Sequence, residues 1–174
     1  MRRTVLAVSA ILLTAACSST TSSGTVAPQS TAGMATPAAQ TAPSNLDATA
    51  AFKLLSASVP TAKMTGTVTA ANDPNSLLGR PHEYTSKITF SDSRIPASDT
   101  QFAGLGDVDL GGAIEAFANA QDATTREQYL QAITAKMSMF SEYDYVHGTV
   151  LIRVSHYLTP DQAKEYETAV NKVG

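Results

Sequence analysis

The sequence predicts an α+β domain: a two-layer sandwich whose mainly antiparallel four-stranded sheet carries its helices on one face, in the order α-β-β-β-α-β-α. Three observations predict it. Residues 64–70 and 84–90 both alternate apolar or small side chains with threonine or lysine, a period of two that suits consecutive strands. Thr159, Pro160 and Gln162 stand at the spacing of a helix start, followed by an apolar stripe of Ala163, Tyr166, Val170 and Val173. Residues 46–174, about 130 in all, suit one domain with one core.

The first helix has Asn45 or Asp47 as its cap, carries Ala51, Phe52, Leu55 and Val59, and stops at Pro60. In the first strand Met64, Gly66 and Val68 oppose Thr65, Thr67 and Thr69; in the second, Ile88 and Phe90 oppose Thr85, Lys87 and Thr89. Between residues 91 and 112, Pro96, Gly104, Gly106 and Gly111 read as a long loop. Residues 113–118 are apolar except for Glu115 and suit a central strand or the start of a helix, the strand being the favoured reading. A second helix follows, capped by Asp122 or Thr124, with Leu130, Ile133 and Met137 along one side. Then Val146, Val150, Ile152 and Val154 share one face of a strand, opposite His147, Thr149, Leu151 and Arg153, with Gly148 as a bulge. A His147-Gly148 turn that splits this segment into a hairpin is the rival reading. With the helices over Val68, Ile88 and Ile152, the other face offers threonines, Lys87, His147 and Arg153 to water or a partner.

The N-terminus is organised differently. Arg2 and Arg3 precede a short apolar segment, 5–13, the pattern of an export signal over residues 1–16. That segment is too short to span a bilayer, which takes roughly 20 residues. Leu13, Thr14, Ala15, Ala16 and Cys17 resemble the lipobox of bacterial lipoproteins, with Thr14 standing where that family prefers a branched aliphatic. The resemblance implies diacylglyceryl transfer to Cys17 and cleavage before it; the two acyl chains would give a stable membrane anchor. An ordinary secretory signal cleaved after Ala16 is the alternative, and the paired arginines leave Sec and twin-arginine export both open. As the chain's single cysteine, Cys17 leaves no possibility of an intrachain disulfide. Residues 17–45 then form an uncharged Ser/Thr/Ala/Pro tether that cannot bury a core and offers sites for O-linked sugars.

Without Arg2 and Arg3 the chain has ten basic side chains against fifteen acidic ones, a formal charge of −5 with no basic cluster, which disfavours nucleic acid. Chemical constellations are sparse, and the sequence predicts no catalytic set, no metal site and no cofactor. His82, His147 and His156 lack metal-ligand spacing, and Asp107 and Asp109 before Gly111 lack the further acidic ligands of a calcium loop. No serine lies in a nucleophile elbow. A pocket uniting His147, Asp144 and Arg80 would favour an enzyme.

The unusual segment is 72–87, where Asn72, Asp73, Pro74, Asn75 and Gly79 form turns around an apolar Leu77-Leu78 pair. Asn72, Asp73, Asn75 and Arg80 are its candidate partner-binding or structural residues. Leu77 and Leu78 read as buried and Gly79 as a permissive turn. Arg80 reads either as a buried ion-pair partner of Asp73 or as an anion-binding group. The string DPNSLLGRPHEYTSKITFSD, with Tyr143-Asp144-Tyr145-Val146-His147-Gly148 and the Leu158-Thr159-Pro160 helix start, resembles small actinobacterial surface lipoproteins of unassigned activity. That resemblance implies a lipid-anchored α+β domain on the extracytoplasmic face of the cell membrane and supplies no reaction. The expected function is a non-catalytic binding domain for an envelope protein, cell-wall component or small molecule. A cell-envelope enzyme and a carrier of lipid or apolar solute are the alternatives.

Overall fold

The computed structural model describes residues 46–137 and 140–173, so the predicted leader 1–16, Cys17, the tether 17–45 and Asn45 as a cap lie outside the described residues. The elements are α1 (Ala48–Ser58), β1 (Ala62–Thr67), β2 (Ser86–Asp92), β3 (Gly111–Ala116), α2 (Ala120–Thr134), β4 (Glu142–His147), β5 (Val150–Ser155) and α3 (Pro160–Val170). The strands form one antiparallel sheet in the order β1-β2-β3-β5-β4. The α+β class stands, with five strands where the sequence predicts four.

The extra strand comes from residues 142–155. Gly148 adopts φ 55°, the left-handed conformation that a two-residue hairpin turn demands, and Gly148-Thr149 joins β4 to β5. The rival hairpin reading is therefore the observed one, and Gly148 makes a turn rather than a bulge. Reversing the chain also resets the faces: Val146 pairs with Leu151 and His147 with Val150, opposite to the phase of a continuous strand.

Helix starts follow side-chain chemistry. Asp47 caps α1 by accepting the Ala50 amide at 2.7 Å. Thr159 and Gln162 close a reciprocal capping box on α3, with Pro160 at the first helical position. For α2 the cap is Asn119, which accepts the Asp122 amide at 2.9 Å. Neither Asp122 nor Thr124 serves there, because both lie inside the helix, where Thr124 bonds back to the Ala120 carbonyl.

Both faces of the sheet are covered. Phe52 and Leu55 of α1 and Ala163, Tyr166 and Val170 of α3 pack on Ile88, Phe90, Ile114, Ile152 and Val154. On the opposite face, Ala123 and Leu130 of α2 join Leu151, Tyr84 and Phe117. The expectation of helices on one face is thus corrected for α2. β5 has apolar side chains on both faces, Leu151 between Val150 and Ile152, and each face must be buried. A bulge between Met64 and Gly66 shifts β1 by one residue, so Val68 lines a cleft beside Lys87 and Thr89 rather than joining Ile88. On the α1–α3 side, the buried Asp92 carboxylate accepts Tyr166 Oη at 2.6 Å and Arg94 Nη2 at 2.7 Å, pinning the end of β2 to α3.

Candidate binding loop and cleft

The segment between β1 and β2 is built around Asp73. Its carboxylate accepts the amides of Leu77 at 2.8 Å, Leu78 at 2.9 Å and Asn75 at 3.2 Å, and Tyr84 Oη lies 2.8 Å from both oxygens. Burial pushes this carboxyl up, but the four donors outweigh burial and hold it below the ordinary carboxylate value of 3.8. Tyr84 itself is pushed well above a normal phenol by burial and by the carboxylate beside it. Leu77 and Leu78 are half-buried against Tyr84, Phe117 and Leu151, so they seat the loop on the second core. Gly79 has φ 76°, which a side chain would strain.

Arg80 does not pair with Asp73. Asp73 is enclosed by its amide donors and Tyr84, whereas Arg80 is exposed on the turn that follows. The buried ion-pair reading is therefore corrected. Asn72 turns inward to the backbone, its Oδ1 accepting the Thr69 amide at 2.6 Å, while Asn75 is exposed.

Two non-glycine residues of the loop are left-handed, Ser76 at φ 53° and His82 at φ 66°. Such conformations cost on the order of 1 kcal/mol or more and persist only where surrounding structure enforces them. At His82 the enforcement is visible: its Nδ1 lies 3.1 Å from Asp122 Oδ1 in the first turn of α2. A carboxylate only accepts, so Nδ1 carries the proton. This contact bridges the loop to α2, and between them lies a cleft of about 350 Å³ lined by Leu77, His82, Glu83, Thr125, Arg126 and Tyr129. Tyr129 is 57% exposed, and the Arg126 guanidinium lies 5.5 Å from its ring centroid.

Arg126 leads from this cleft to a buried charge cluster. Glu115, 0% exposed, accepts Lys87 Nζ at 2.8 Å, Arg126 Nε at 3.1 Å and Arg153 Nη1 at 3.4 Å. Burial opposes its charge, yet Lys87, Arg153 and Arg126 together hold the carboxyl below its ordinary value. Arg153 also makes a two-pronged pair with Glu142, at 3.0 and 2.9 Å. Lys87 and Arg153, expected on a solvated face, are thus largely enclosed. The sequence reading missed this cluster, although Lys87, Glu115 and Arg153 occupy alternating positions within three predicted strands.

Asp144, on the same face, faces a different situation. Its Oδ1 is buried without a hydrogen-bond partner, and burial, then Glu142, push its carboxyl up to about 7. It lines a cleft at the β4 edge with Glu127, Tyr145 and Glu167. His147 belongs to the opposite face of β4 and Arg80 to the loop, so the pocket that would favour an enzyme is not assembled. Among the described residues no three His, Cys, Asp or Glu side chains form a metal-sized cluster, and no helix is long and apolar enough to cross a membrane.

Comparison with known proteins finds no significant match to the chain among family models, curated proteins or solved structures.

Proposed function

We propose that the chain is a lipid-anchored surface lipoprotein, akin to the small actinobacterial lipoproteins it resembles, whose domain is a non-catalytic binding module. Acyl chains on Cys17 would hold it to the extracytoplasmic face of the cell membrane. Residues 17–45 would tether a domain that offers the 72–85 loop and its cleft to an envelope protein, a cell-wall component or a small molecule.

The observation that carries this reading is the inward locking of the loop. Asp73 consumes the loop's own amides and Tyr84, and His82 is braced by Asp122. Asn75, Arg80 and His82 are left exposed on a fixed frame. Preorganised polar groups lower the ordering cost of binding.

Two experiments test the parts separately. Metabolic acyl labelling should mark the wild type and not Cys17→Ala; equal labelling would overturn the anchor. A photo-crosslinking residue at position 80, activated on intact cells, should give a discrete adduct to an envelope component, and its absence would overturn the binding role of the loop.

A further inference from the structure

We infer that the cleft between the 72–85 loop and α2 binds a neutral saccharide, an inference that rests on the binding-module reading and names the ligand class of its site. The cleft wall mixes three kinds of surface within about 350 Å³. Tyr129 supplies an exposed aromatic face and Leu77 an aliphatic one. Arg126 supplies N–H donors, His82 Nε2 and Glu83 supply acceptors, and Thr125 a hydroxyl. A pyranose or furanose ring has the complementary mixture: hydroxyls that both donate and accept around its rim, and a C–H face that packs on an aromatic ring.

Other ligand classes fit less well. An anion would meet the Glu83 carboxylate in the wall, and the Arg126 Nε–H is already given to Glu115 at 3.1 Å. A purely apolar ligand would strip water from Arg126, His82, Glu83 and Thr125 without replacing its hydrogen bonds.

The frame is built for such weak, directional recognition. Tyr129 and Arg126 project from one helix, one helical step apart, while His82 and Glu83 come from a loop whose conformation Asp73 and Asp122 fix. Both walls are thus held by side chains that do not line the cleft themselves. Asp122 orients the His82 ring and Glu115 orients the guanidinium.

The test is isothermal titration of the full chain with three neutral probes, chitotetraose, maltotetraose and mannotetraose, each at millimolar concentration, and with inorganic phosphate. At least one tetrasaccharide should bind. Tyr129→Ala should weaken it at least about tenfold, Tyr129→Phe should retain it, and both variants should keep the wild-type melting temperature. Failure of all three saccharides, binding of phosphate alone, or saccharide binding that Tyr129→Ala leaves intact would each overturn the inference. A crosslinked envelope partner at position 80 together with saccharide failure would remove the ligand class and leave the binding module standing; loss of both would remove the module as well.

Discussion

The phenol of Tyr84 lies 2.8 Å from each carboxylate oxygen of Asp73, and both groups are buried. This contact ties the start of the 72–85 loop to its end, eleven residues later. Tyr84→Phe should cost roughly 1.5–3 kcal/mol, the range for hydrogen bonds to a charged group. Asp73→Ala should cost more, because it also strands the amides of Leu77 and Leu78 and the Tyr84 hydroxyl. Urea unfolding of both variants checks the order. Arg80→Ala, on the exposed turn, should stay within about 0.5 kcal/mol of wild type.

Removing Glu115 should be among the most damaging single changes. Glu115→Ala leaves Lys87 and Arg126 enclosed without their carboxylate and Arg153 with Glu142 alone. Breaking a buried pair in this way costs about 3–5 kcal/mol, read as a fall in thermal midpoint. A Glu115→Ala protein as stable as wild type would mean that water already reaches the cluster.

Stability should pass through a maximum on the acid side of neutrality. Asp73, Asp92 and Glu115 have folded pKa values held below their ordinary ones, so their stabilisation is complete above pH 3.8 to 4.5 and is lost as pH falls through the folded values. Asp144 runs the other way. Between 3.8 and about 7 the folded protein keeps a proton that the unfolded chain has released, so stability declines as pH rises through that window. Asp144→Asn should flatten the decline and stabilise the protein at pH 8 by more than about 1 kcal/mol, since one pKa unit corresponds to about 1.4 kcal/mol. Thermal melts of both proteins from pH 4 to 8 would show it; parallel curves would refute it.

Gly112 should tolerate no side chain. It lies within β3, where an added methyl would collide with the Arg153 carbonyl oxygen and the Phe90 ring. Gly112→Ala should destabilise by about 1–3 kcal/mol or more through overpacking, whereas Gly79→Ala, with open space around it, pays only for its positive φ of 76°. Circular dichroism melts distinguish the two costs.

Much of this architecture was legible in local patterns. The cap and capping box of α3, the Asp47 cap and the Ile88–Phe90 face are short-range chemistry that sequence displays directly. The β4–β5 hairpin was harder, because Tyr143, Tyr145 and His147 continue the appearance of a strand while Gly148 silently reverses the phase. The buried charges were illegible for a different reason. A lysine or arginine alternating with apolar residues usually marks a solvated face, and only the register that places Lys87 beside Glu115, and Glu115 beside Leu151 and Arg153, reveals their mutual neutralisation. Arg126 reaches them from a helix, across tertiary space that no spacing encodes.

Glu115 has one further consequence. Its three cations line three separate openings: Lys87 the threonine-rich cleft beside β1, Arg126 the loop cleft, and Arg153 the apolar cleft at the end of α2. A guest that draws any one of them outward leaves the same carboxylate to be shared by the other two, tightening their hold. Whatever factor a guest at one opening then imposes on a guest at a second, the second imposes on the first. The three openings thus meet at a single shared counter-ion.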